Sequence, residues 1–114
     1  MTREEAQQWL QDTLDVSRET LDQLAQLEQS TIEANTHQNL IARSTIEDFW
    51  SRHLIDSAQL LLFAKRESAV WLDLGSGAGF PGLVIALLSK YDVVLSEERR
   101  KRADHLEAMI AQLK

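Results

Sequence analysis

Cysteine is absent from the 114 residues, which excludes disulfides and thiolate metal sites and leaves the redox compartment unmarked. Proline occurs once and glycine four times, and all five fall between positions 75 and 82. A long apolar run is also missing: nothing approaches the length of a membrane span. The opening MTREEAQQWLQDT has acids where a signal peptide needs an apolar core. The expectation is a cytoplasmic protein with no membrane partner. Nor is there an excess of base, since the net charge is −6. Residues 1–60 carry 11 acids and 4 bases (−7), residues 61–114 carry 7 acids and 8 bases (+1). That balance argues against a generic nucleic-acid coat protein and leaves room for a local basic patch.

What remains is an ordinary globular composition, 44% apolar and 26% charged. One domain is the ceiling at this length. The chain turns on AVWLDLGSGAGFPG, residues 69–82. Ala69 to Leu74 reads as a buried strand, and it breaks into three alternating glycines, Gly75, Gly77 and Gly79. Glycine admits backbone angles and close approaches that a Cβ blocks. Pro81 pre-sets φ for a helix whose body runs from Gly82 to Leu88, with Ser89 at its end. Strand, glycine loop and helix N-terminus form a cradle in which outward amides attract a carboxylate, a phosphate or other polar ligand atoms.

Upstream, Thr2-Arg3-Glu4-Glu5 is a capping box. Leu10, Leu14, Leu21, Leu24 and Leu27 then recur at helical spacing, predicting one or two amphipathic helices to about residue 33; scaffold is the plain reading. Residues 35–45, rich in Asn, Thr and Ser, suit a connector built on side-chain-to-backbone bonds. A further helix is expected from about 45–48 to Lys65. Ile46, Phe49, Trp50, His53, Leu54, Ser57, Leu60 and Leu61 form its apolar face, with Arg52, Asp56 and Gln59 beside it. His53 beside Trp50 suits a packed core residue as well as a site residue. Glu67 and Ser68 mark the turn into the strand.

Downstream, Val93, Val94 and Leu95 predict a second buried strand, parallel to the first because a helix separates them. Glu97 follows it, 20 residues after Gly77. There an acid accepts hydrogen bonds from nucleotide ribose hydroxyls, unless it is merely solvated. Arg99, Arg100, Lys101 and Arg102 form a basic run against the macrodipole of the next helix. Ala103, Leu106, Ile110 and Leu113 mark that helix's buried side. Two parallel strands leave both edges bare. The expected fold is therefore α/β: N-terminal helices over residues 1–68, then, over 69–114, the first two strands of a doubly wound Rossmann-like sheet that is apparently truncated. The expectation is a fragment of a longer enzyme, or a chain whose exposed sheet edge self-associates.

The glycines fit two ligands. Gly77, Gly79 and Gly82 match GxGxxG, which is weak without its context and implies a nicotinamide dinucleotide and an oxidoreductase fragment. Asp73-x-Gly75-x-Gly77-x-Gly79 instead suits S-adenosylmethionine in a methyltransferase, Asp73 toward the amino-acid end and Glu97 at the ribose. A non-catalytic truncated interaction module is the third alternative.

From about Asn35 onward the chain resembles the glucose-inhibited division protein B family. The resemblance rests on Arg52-His53-x-x-Asp56-Ser57, on WLDLGSGAGFPGL from Trp71 to Leu83, on Glu97, on Arg100-Lys101-Arg102, and on Asn35 and Asn39 of a WNxxxNL-like connector. Ala34, Ser51 and Ser96 depart from the family pattern, and family members run to roughly twice this length. The resemblance implies S-adenosylmethionine-dependent N7-methylation of a guanosine in 16S ribosomal RNA or the small ribosomal subunit by the full-length enzyme, this fragment alone being inactive. It implies cofactor binding by Asp73, Gly75, Ser76, Gly77, Gly79, Phe80 and Glu97. Arg52, His53, Asp56 and Asn39 would position the substrate or brace the loop, and Arg99, Arg100, Lys101 and Arg102 would meet RNA phosphates. No metal and no general base is implied, because N7 carries a free lone pair.

Overall fold

The computed structural model describes residues 1–64 and 69–113. The expected helix end at Lys65 and the turn at Glu67 and Ser68 lie outside the described residues. The N-terminal leucine stripe forms two helices, α1 (Arg3–Leu14) and α2 (Arg18–Ala34). Thr2 and Glu5 close the capping box reciprocally at the start of α1. The break between the helices follows from Asp15, which caps α1 in the left-handed region at φ 53°, and from Ser17, whose hydroxyl accepts from the Thr20 amide to start α2. Val16, between these caps, turns into the core. Three aligned contacts tie α1, α2 and residue 50 together. Arg3 Nη1 lies 2.8 Å from Glu28 Oε1, Trp50 Nε1 donates to the same oxygen at 3.1 Å, and the Arg3 guanidinium sits 4.9 Å above the Trp50 ring.

The third helical stretch is less regular than its periodicity predicts. Trp50–Ile55 is wound as a π-helix, α3 (Asp56–Ala58) is one short α turn, and Gln59–Phe63 tightens to a 3-10 helix. Changing the number of residues per turn rotates the buried face. Phe49, Trp50, Leu54, Ser57 and Ala58 are buried as the pattern requires, but Leu60 is 39% exposed. Its placement on the apolar face is thereby corrected.

The two strands, β1 (Val70–Leu74) and β2 (Asp92–Ser96), pair in parallel, with Leu72 opposite Val94 and Asp73 opposite Leu95. The crossover is α4 (Gly82–Leu88), and α5 (Arg100–Leu113) follows β2. One continuous core joins Leu10, Leu24, Leu27, Phe49 and Leu54 to Leu83, Val84, Leu106 and Met109. The helices lie against one face of the sheet, and the other face is open. Val70, Leu72 and Leu74 are 69%, 57% and 73% exposed, and Val94 is 49% exposed. Both strands were expected to be buried. They are half buried, because parallel strands read as fully apolar only when helices cover both faces, and here α4 covers one. In α5, the expected Ile110 is exposed, and His105, Leu106, Met109 and Leu113 form the buried side instead. A one-residue shift from Ile110 to Met109 keeps a 3–4 residue repeat while rotating the stripe onto α2.

No described helix is long and apolar enough to cross a membrane.

The uneven burial predicts an uneven mutational response. Ile85→Ala, at a fully buried site on α4, should destabilise by about 2–5 kcal/mol. Leu72→Thr on the open face should stay within about 0.5 kcal/mol. Urea unfolding of both variants measures the contrast.

Candidate functional site: the glycine loop and its braces

The glycine loop is pinned at its start by Ser76. Its hydroxyl, buried, donates to the Asp73 carbonyl at 2.9 Å and accepts from the Ser96 amide at 3.1 Å, while its own amide donates to the Ser96 carbonyl at 2.9 Å. The loop is thus an extension of the sheet, sewn to the end of β2. It then turns through a Gly79 amide bond to the Ser76 carbonyl and enters α4 with the Leu83 amide on the Gly79 carbonyl. The Phe80–Pro81 peptide is cis.

The four glycines divide by what surrounds them. Gly75 and Gly77 have φ of 65° and 56°, the left-handed region that glycine enters without strain. A Cβ on Gly75 would meet nothing within 4 Å, and one on Gly77 would make only ordinary contacts. This side of the loop has room for a ligand. Gly79 and Gly82 face inward. A Cβ on Gly79 would strike the Leu83 side chain, and one on Gly82 would strike Leu95 and come within 2.7 Å of Asp73 Oδ2. These two let α4 lie directly on the sheet.

Asp73 ends β1 with its side chain on the covered face. Oδ2 accepts from the Gly82 amide at 3.0 Å, so the carboxylate caps the orphan amides at the start of α4. Burial raises its pKa above the usual carboxylate range, with the Gly82 and Ser76 hydrogen bonds pulling in the opposite direction. Across the loop, Glu97 at the end of β2 turns inward. Its side chain is only 8% exposed, and Oε2 sits 3.5 Å from the Gly77 amide. The loop is therefore flanked by an acid on each side, one from each strand.

A second group braces the loop from below. His53 stacks on Phe80 with ring centroids 5.2 Å apart and 26° between planes, and Phe49 packs against both rings at 5.0 and 5.7 Å. Thr45 Oγ1 spends its proton on the Ala42 carbonyl at 2.6 Å, so His53 Nε2, 2.8 Å away, donates to it. Burial first, then the Arg52 charge, lowers the His53 pKa, with Asp56 opposing. The ring is thus a neutral Nε2–H tautomer holding Phe80 at the loop's exit. Thr45 and Phe49 were not singled out from sequence as site residues. A hydroxyl eight positions before a histidine carries no periodic signal.

The other expected site residues are more dispersed. Arg52 and Asp56 are exposed on the outer side of residues 50–63, and Asn39 is exposed in the connector. Asn35 Oδ1 shapes that connector, accepting from the Leu40 and Ile41 amides at 2.8 and 3.0 Å. Arg99, Arg100 and Lys101 are exposed at the start of α5, with Arg100 3.5 Å from Asp104. Arg102 turns inward: Nη2 donates to the Asn39 carbonyl at 2.9 Å, and Nη1 lies 3.9 Å from Glu97. Among the described residues no cluster of three or more His, Asp or Glu could hold a metal ion.

These shifts give a pH signature with two signs. His53 and His105 both have lowered folded pKa values, His105 by burial alone. The unfolded chain therefore protonates first. Their contribution is complete above about pH 6.5 and is lost as pH falls through the folded values. Asp73 is raised, so its burial disfavours folding increasingly as pH rises from about 3.9 through its folded value. Urea unfolding should show His53→Phe losing less stability than the parent between about pH 7.5 and pH 5. Asp73→Asn should gain relative to the parent as pH rises through the carboxylate range.

Comparison with known proteins fits this arrangement. Residues 20–114 match the family model GidB, described as rRNA small subunit methyltransferase G. Among curated relatives, the ribosomal RNA small subunit methyltransferase G of Zymomonas mobilis is 53% identical over 115 positions, covering 94% of this chain and 52% of the relative. The proteins of that name from Sphingopyxis alaskensis and Rhizorhabdus wittichii are 47% and 45% identical, covering 95% and 99% of this chain and 47% and 52% of theirs. The chain spans about half the length of these relatives. With a glycine loop between β1 and α4, a parallel β1–β2 pair and this degree of identity, the chain belongs to the GidB family of small-subunit ribosomal RNA methyltransferases.

Proposed function

We propose that this chain is the cofactor-gripping half of an S-adenosylmethionine-dependent guanine-N7 methyltransferase acting on 16S ribosomal RNA. In this reading residues 1–68 brace the loop and residues 69–114 form the first half of the cofactor domain. The carrying observation is the open side of Gly75 and Gly77, on a loop that has Asp73 beneath the start of α4 and Glu97 beside the Gly77 amide. A compact ligand with a cationic amine and sulfonium at one end and a ribose at the other suits an open glycine loop with an acid near the end of each strand.

S-adenosylmethionine, when bound, supplies a methyl carbon on a sulfonium, itself a good leaving group. Held by Asp73, the loop amides and Glu97, it would supply that methyl to the N7 lone pair, and the sulfur would leave with the electrons of the carbon–sulfur bond. N7 carries no proton, so no side chain need remove one. The protein's share is alignment and exclusion of water. Asp73 and the loop amides hold the amino-acid end, with Ser76 fixing the loop's seat on β2. Glu97 takes the ribose hydroxyls. Phe80, backed by His53 and Phe49, fixes the loop's exit toward α4. Arg52, Asp56 and Asn39 line the approach of the guanosine, while Arg99, Arg100 and Lys101 meet RNA phosphates. This is chemistry of the cytoplasm, where ribosomes are made.

Isothermal titration with S-adenosylmethionine, with NAD beside it, tests the reading. The expected result is saturable binding of S-adenosylmethionine alone, abolished by Asp73→Ala. Binding of NAD instead would overturn it. In a chain extended to the length of the relatives, Arg100→Ala with Lys101→Ala should weaken RNA binding. It should also reduce the slope of log affinity against log salt by about 1 per residue. An unchanged slope would remove both from the RNA surface.

A further inference from the structure

Four consecutive basic residues open α5, and the fold separates them. Arg99, Arg100 and Lys101 are exposed, but the Arg102 side chain is 27% exposed and its guanidinium is committed on two sides. Nη2 donates to the Asn39 carbonyl at 2.9 Å, and Nη1 lies 3.9 Å from Glu97 Oε1. The second oxygen of Glu97 faces the Gly77 amide at 3.5 Å. Nη1 also lies 4.0 Å from where a Cβ on Gly77 would stand. The line connector–Arg102–Glu97–Gly77 thus joins three separate parts of the chain: the connector, the turn from β2 into α5, and the glycine loop.

Three physical points give this line a role. Burying a carboxylate to 8% exposure is costly without a cation or donors beside it, and among the described residues Arg102 is the cation within 4 Å of it. The planar guanidinium is fixed at one edge by its hydrogen bond to the Asn39 carbonyl, which sets its other edge at ion-pair distance from Glu97. The far acceptor is itself held. Asn35 folds the connector through its bonds to Leu40 and Ile41, and Gln38 Nε2 donates to the Lys101 carbonyl at 3.3 Å. Arg102 is therefore anchored on a built turn and reaches from it to the acid.

We propose that Arg102 is a positioning residue that aims Glu97 at the glycine loop, and that it acts inward rather than on RNA phosphates. This rests on the cofactor reading above for its consequence, since Glu97 is the residue assigned to the ribose.

The test uses the 114-residue chain with Arg102→Met, Arg102→Lys, Glu97→Gln and the Arg102→Met/Glu97→Gln pair. The chain has four glycines, so their amide signals in a proton–nitrogen correlation spectrum form a small separate set. Without any ligand, Arg102→Met should move the Gly77 signal and leave Gly82, held by Asp73, in place. In the Glu97→Gln background Arg102→Met should move Gly77 no further. Persistence of the Gly82 signal reports that the fold is intact, and Arg102→Lys, which keeps the charge, should fall between parent and Met variant.

In an S-adenosylmethionine titration, Arg102→Met should weaken binding about fivefold or more, and less than about twofold once Glu97 is Gln. An unmoved Gly77 signal, or the same effect in both backgrounds, overturns the proposal. If the parent chain shows no binding of S-adenosylmethionine while the Gly77 arm behaves as expected, the cofactor reading fails and the positioning of Glu97 by Arg102 stands.

Discussion

The close approach of α4 to the strands at Gly82 is the constraint on which the remaining structure depends. No side chain fits there, because Leu95 and Asp73 already occupy the space a Cβ would take. That contact brings the first free amide of α4 to 3.0 Å from the Asp73 carboxylate and lays Val84 and Ile85 into the core without solvent exposure. The helix start, the buried acid and the seating of the sheet are one arrangement. A buried carboxylate is tolerated because it caps a helix; the helix is close enough to be capped because residue 82 is glycine.

From this contact the loop acquires two different sides. Toward the core, Gly79 and Gly82 are packing devices; toward solvent, Gly75 and Gly77 keep left-handed backbone with space beside it. One acid serves each side: Asp73 lies under the start of α4, and Glu97, just past β2, stands beside the Gly77 amide. The N-terminal helices reach the same loop from below, through the His53–Phe80 stack and through Arg102. The first is held by a neutral imidazole donating to a threonine, the second by a guanidinium spanning a carbonyl and a carboxylate. The hydrogen bonds of His53 to Thr45 and of Arg102 to Asn39 are directional, whereas Arg102 and Glu97 stand at ion-pair distance.

The open face of the sheet has the opposite character. Val70, Leu72, Leu74 and Val94 present an apolar surface of the kind that doubly wound sheets cover with helices on both sides. The relatives carry about twice this chain's length. The half present here includes Asp73, Glu97 and all of the glycine loop.

The sequence by itself determined the order of elements, the parallel pairing, the capping box at Thr2 and Glu5, and the glycine loop with Asp73 and Glu97 at its ends. Each is a local or strictly periodic signal: turn residues, a capping pair, an apolar run of strand length, a fixed spacing between strand ends. Family motifs such as Arg52-His53-x-x-Asp56-Ser57 located the brace but not its working parts. Only the tertiary structure decided that His53 faces Phe80 while Asp56 faces solvent, because that depends on the π winding of Trp50–Ile55. It likewise decided that Met109 rather than Ile110 is buried, that the strands are covered on one face, and that Arg102 alone of the four consecutive basic residues turns inward. Those outcomes depend on which surfaces meet across the core, between residues up to 90 positions apart, and no short-range pattern in a single chain encodes them.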